Sequence, residues 1–104
     1  MPEMHFRVRW PDGAVQRCNS PSTVVEDYLE ADGVYTVAYF VARSRQALEI
    51  ADDRVRAKFG MGCTAATGQL AEITATADGH HADDRVTVEA LIPLPGRTPR
   101  PSPT

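Results

Sequence analysis

Near the start of the chain, apolar and polar residues alternate: Met4, Phe6, Val8 and Trp10 fall on one side, His5, Arg7 and Arg9 on the other. A period of two sends successive side chains to opposite faces of a strand. The stretch therefore predicts a strand with an apolar face and a wet, basic one. Pro11-Asp12-Gly13 is turn chemistry, because proline presets its own φ and glycine accepts a positive one. Residues 14–19 then return as a second strand, completing a hairpin. Ser20-Pro21 suits a helix start, with serine capping orphan N–H groups and proline at the first helical position. Thr23 and Glu26 also fit a capping box, which would move the start a few residues later. In either register Val24, Val25, Tyr28 and Leu29 give a short helix or turn an apolar side, and Ala31-Asp32-Gly33 ends it.

The period then changes. Val37, Phe40, Val41, Ser44, Leu48, Ala51, Val55 and Phe59 recur three or four residues apart, the signature of one face of a long helix. Thr36 is placed to cap its start and Gly60 to end it. The opposite face carries Arg45–Glu49 and Asp52–Arg56 at i,i+4, with Arg54, Arg56 and Lys58 in the last turns where the helix dipole favours cations. A second helix is predicted over 64–77 from Ala66, Leu70, Ile73 and Ala77, weakened by Gly68 and several threonines. Asp78-Gly79-His80-His81 reads as a solvated loop. Val86, Val88, Ala90 and Ile92 alternate with Thr87, Glu89 and Leu91, predicting a third strand.

The expected architecture is α+β in the order β-β-α-α-α-β. A three-stranded, mainly antiparallel sheet packs on one long helix and a second, shorter one. A single domain is expected over residues 1–92. Residues 93–104 hold five prolines and read as a disordered tail. The other face of the sheet would carry Arg7, Arg9, Arg17, Thr87 and Glu89.

Composition narrows the function classes. With 104 residues and 24% charged residues, the chain can bury one modest core. A formal charge of −3 argues against a nucleic-acid binder. No run is apolar enough to span a membrane, and the N-terminus lacks the apolar middle of a secretion signal, so a cytoplasmic protein is expected. In that compartment the two cysteines read as thiols rather than a disulfide.

Few residues carry chemistry. Cys18 falls at a strand end and Cys63 at a helix–helix junction, where a helix N-terminus can lower a thiol pKa. The bland reading makes both packing residues, since free cysteine is among the most buried types; the sharper one makes them functional thiols, Cys63 before Cys18. No spacing of Cys or His supports a metal, and no motif implies a cofactor. Nothing assembles a catalytic constellation, so catalysis by this chain is not expected. Arg7, Arg9 and Arg17 form the purest basic row and are the candidate partner-binding residues.

The stretches MPEMHFRVRWPDG, CNSPSTVVEDYL, FVARSRQALEIADDRVRAKFG and CTAATGQLAEI, in one collinear order over residues 2–73, resemble a family of small bacterial proteins named for a nitrogen-starvation response. The resemblance implies a gene neighbourhood with a nitrilase, a radical-SAM protein, an acetyltransferase-like protein and a flavin-dependent oxidoreductase. It carries no catalytic residue across. It does imply cysteines at positions 18 and 63. Asn19 stands where the family is expected to have tyrosine, and Met61-Gly62 where a bulkier aromatic is expected before Cys63. Residues and resemblance lead to an accessory protein that binds an enzyme of a nitrilase-linked pathway. The alternatives are a ligand- or metal-binding enzyme component centred on Cys63 and Cys18, with His5 as the other residue that could lie beside Cys63, and a nucleic-acid-binding regulator using the three arginines.

Overall fold

In the computed structural model the described residues are 3–60 and 64–93, without the side chains of residues 59, 64 and 93. Cys63, the Phe59 side chain and residues 94–104 of the expected tail lie outside them. Strands β1 (Met4–Arg9) and β2 (Val15–Ser20) are followed by a 3-10 turn (Thr23–Asp27), then by β3 (Val34–Thr36). Helices α1 (Val37–Phe59) and α2 (Thr64–Ala77) and strand β4 (Arg85–Pro93) complete the order.

The sheet has four strands in the order β2-β1-β4-β3, every pairing antiparallel, so the first and last strands meet at its centre. The β1–β2 hairpin closes as its turn residues require. The Gly13 amide donates to the Trp10 carbonyl at 2.8 Å, and Gly13 takes φ +89°.

Two corrections to the expected architecture follow. The sheet has four strands rather than three, because Val34–Thr36 pairs with Arg85–Thr87. Three residues are too few to display an alternation, and extended Thr36 is at once the end of β3 and the N-cap of α1. There are two α-helices rather than three. The expected first helix is a five-residue 3-10 turn capped by Ser22, whose Oγ accepts from the Val24 amide. Ser20, the alternative cap, is buried at the strand end, where its hydroxyl donates to the Ser22 carbonyl at 2.7 Å.

Helix α1 follows its stripe. Thr36 Oγ1 accepts from the Tyr39 amide at 3.1 Å, and Gly60 ends the helix at φ +81°. Val37, Phe40, Ser44, Leu48 and Ala51 are buried. Arg56 closes on Asp52 at 2.8 Å, and Asp52 is buried rather than on the solvated face expected for it. Met4, Phe6, Val8, Cys18, Val86 and Val88 form the matching face of the sheet, and α1 and α2 both pack on that side.

The loop after α2 is largely exposed, as expected, and has a second role. The Asp84 and Ala82 carbonyls accept from the Val37 and Ala38 amides at 2.7 and 3.1 Å. With Thr36 they satisfy the first donors of α1, which have no partner within the helix. His80 stacks on Trp10, ring centroids 5.5 Å apart and planes 8° apart. The loop is thus a cap for α1, built from a part of the chain more than forty residues away in sequence.

Candidate functional site: the open face of the sheet

The outward side chains of β1 and β2 fall into cross-strand pairs: His5 opposite Asn19, Arg7 opposite Arg17 and Arg9 opposite Val15. On β4 the alternation is interrupted. Val8 pairs with Val88 but Arg7 pairs with Ala90, so Glu89 is an extra residue, a β-bulge. Beyond the bulge the phase inverts. Leu91, opposite Phe6, takes a partly buried place against the core, and Ile92, opposite His5, turns outward with 43% of its surface exposed. Ala90 and Ile92 therefore do not continue the apolar face of Val86 and Val88 expected from simple alternation.

The bulge also aims Glu89 between two guanidinium groups. Arg7 Nε donates to Oε1 at 3.0 Å and Arg9 Nε to Oε2 at 2.6 Å. Arg9 also reaches the Gly13 carbonyl at 3.1 Å, tying the row to the hairpin turn. Hydrogen bonds first from Arg9 and then from Arg7 hold the Glu89 carboxyl below the usual carboxylate range. A folded value below the unfolded one stabilises the fold above the ordinary carboxylate range, and the effect is lost as pH falls through the lowered value. Glu89→Gln is expected to flatten the acid limb of the stability–pH profile, read by urea denaturation at successive pH values.

Of the three candidate arginines, two are joined through Glu89. The third, Arg17, is exposed and has no ion-pair partner among the described residues. Arg17 and Arg7, with His5, Phe6 and Ile92, line a cleft of about 190 Å³.

Cys18 lies on the opposite face, 1% exposed and across from Phe6. Burial, with a smaller effect from the Glu72 charge, pushes its thiol up to about 12. That is the reverse of what a reactive thiol needs. His5, outward on β1, cannot join it. Native protein is expected to leave Cys18 unalkylated by iodoacetamide until denaturant is added, as read by peptide mass mapping. Cys18→Ala is expected to lower stability by about one to a few kcal/mol.

Other features lie outside the row. A groove of about 470 Å³ between α1 and the end of α2 is bordered by Val41, Arg45, Thr74, Asp78 and His80. A smaller one, about 240 Å³, runs past Glu49, Asp52 and Asp53. Among the described residues no three His, Cys, Asp or Glu side chains are grouped to hold a metal. No helix among them is long and apolar enough to cross a membrane.

One cluster escaped the reading of the sequence. All three tyrosines of the chain gather near Arg43. Its guanidinium lies 5.0 Å from the Tyr28 ring centroid and 5.5 Å from that of Tyr39, while Tyr35 stacks on Tyr39. Arg43 Nε also donates to the Tyr28 carbonyl at 3.1 Å, fastening the 3-10 segment to α1. The available signal was the spacing of Tyr39 and Arg43, i and i+4 on a helix.

The fold and the row define a two-layer α+β protein whose helices cover one side of an antiparallel sheet, leaving a charged and partly apolar side uncovered among the described residues. A family model described as nitrogen starvation-induced protein NitG matches residues 5–91, and the chain belongs to that family. No curated protein and no solved structure matches the chain.

Proposed function

We propose that this member of the nitrogen starvation-induced family is a small, non-catalytic accessory protein that docks a protein partner on its open sheet face. The partner class is an enzyme of the nitrilase-linked pathway that the family resemblance implies. One observation carries the reading: a sheet with both helices on one side sets an arginine row and exposed Val15 and Ile92 on the other. Arginine beside apolar side chains is the composition of interface centres, where a fixed guanidinium fork gives direction and apolar area gives energy. The buried, unreactive setting of Cys18 weighs against a ligand or metal site centred on Cys18 and Cys63.

The test is a tagged pull-down from nitrogen-starved cells of the native host, with captured proteins identified and the complex rebuilt from purified components. The expected result is a stoichiometric pathway enzyme that binds the native protein and is lost with Arg17→Ala, a change at an exposed residue outside the Glu89 pairing. Failure of the purified components to associate, or capture unaffected by every change on this face, would overturn the reading.

A further inference from the structure

We infer that the cleft between Arg7, Arg17 and Ile92 receives the carboxylate of an acidic side chain on an extended segment of a protein partner that carries apolar residues two positions to either side of it. This inference rests on the docking reading above and adds the chemistry of what docks. Three guanidinium groups share this face with one carboxylate between two of them, so the row carries excess positive charge. Arg7 and Arg17 stand directly opposite each other in register. The amide of Asn19, two residues along β2, donates away from β1 to Gln69 Oε1. That makes the outward pairs of this hairpin the closely spaced, non-hydrogen-bonded kind, with Cα atoms about 4.5 Å apart. Like charges so placed repel, and an anion between them relieves the repulsion.

Glu89 shows which anion fits. Its carboxylate takes the Nε donors of two neighbouring arginines on β1, and the closer cross-strand Arg7–Arg17 pair has no carboxylate of this chain between its members among the described residues. Among the described residues the Arg17 fork and the terminal nitrogens of Arg7 have no partner, leaving donors for a bidentate carboxylate. The cleft, about 190 Å³, is below the range of roughly 300–1,000 Å³ usual for free small-molecule ligands and has room for a side chain. Exposed Ile92 at its border, and Val15 next to Arg17 on the same face of β2, supply apolar contact on either side. In an extended segment residues i−2, i and i+2 face the same way, so an acidic residue over the cleft is flanked on that face by the residues two positions to either side, which meet Ile92 and Val15.

The test uses the full chain, isotopically labelled, and a nine-residue peptide with Glu at its centre, Val two positions to either side and Ser elsewhere, capped at both ends so that only the Glu side chain carries charge. Its Gln counterpart and inorganic phosphate are the comparison probes. The Glu peptide is expected to shift the amide signals of Arg7, Arg17 and Ile92, and to bind about tenfold more weakly when salt rises from ~0.05 to ~0.3 M. Arg17→Gln is expected to weaken it about tenfold or more while leaving the far-UV spectrum unchanged. Equal binding of the Gln peptide, displacement of the Glu peptide by phosphate at the same residues, or no loss with Arg17→Gln would each overturn the inference. If the peptide fails while a cellular partner is still lost with Arg17→Gln, the acidic-strand inference falls and the docking face stands. If the peptide binds as expected and no cellular partner uses this face, the docking reading falls and with it the assignment to a protein partner, leaving a cleft that binds carboxylate alone.

Discussion

Trp10→Ala is expected to lower the unfolding free energy by about 3–5 kcal/mol, the range for removing a large buried aromatic. For a domain of this size that places the thermal midpoint about 15 °C or more below the native one. Trp10 is only 2% exposed and is held on three sides. It meets Phe40 of α1 in a T-shaped pair with centroids 5.6 Å apart and planes at 89°. Its face carries His80, and its Nε1–H donates to Gln16 Oε1 at 2.8 Å. Removing the ring opens a cavity between sheet and helix and strips His80 of its platform. The second effect spreads, because the loop bearing His80 also supplies the Ala82 and Asp84 carbonyls that accept from the first amides of α1. Trp10→Phe keeps the apolar body and loses the indole donor, so a smaller cost of about 1–2 kcal/mol is expected. Urea denaturation followed by far-UV circular dichroism compares the three proteins. Equal midpoints for native and Ala variants would show that the ring bears no part of the packing described above.

Gly33→Ala is expected to cost about 1–3 kcal/mol, an overpacking penalty at a position with ordinary φ. A Cβ at residue 33 would stand 2.6 Å from the Tyr35 hydroxyl oxygen and 2.9 Å from the Glu30 carbonyl oxygen. Neither yields easily. The hydroxyl accepts from the Glu30 amide at 2.9 Å, and the carbonyl accepts from the Gly33 amide at 3.0 Å. The same glycine joins β3 to the sheet, its carbonyl accepting from the Val88 amide at 2.9 Å. The strain is therefore expected at the β3–β4 edge, seen as faster hydrogen exchange of the Val88 amide together with the lower unfolding midpoint. Unchanged exchange at Val88 would place the cost elsewhere.

Much of the element list was legible in the sequence. Met4, Phe6, Val8 and Trp10 could lie on one face only as a strand, and the stripe from Val37 to Ala51 only as a helix. The caps Thr36 and Gly60 and the turn at Gly13 follow from side-chain and φ requirements that act within a few residues. Of the site, the arginine row and the presence of Glu89 on its face were legible, because both follow from alternation. The burial of Cys18 fits alternation along β2, which puts it on the face opposite Arg17 and Asn19.

Features made by distant partners were not legible. Nothing local marks Val34–Thr36 as a strand, since its ladder is supplied by Arg85–Thr87. Nothing local marks Glu89 as a bulge, since an extra residue exists only relative to the regular strand beside it. His80 became a stacking partner and its loop a helix cap only when β4 returned to the centre of the sheet. The sequence by itself determined periodicity, capping and turns, which depend on steric and hydrogen-bonding limits a few residues long. Tertiary structure alone decided register and pairing. It set Glu89 between Arg7 and Arg9 and left Arg17 without a counter-charge among the described residues, because contacts across the sheet depend on which strands meet.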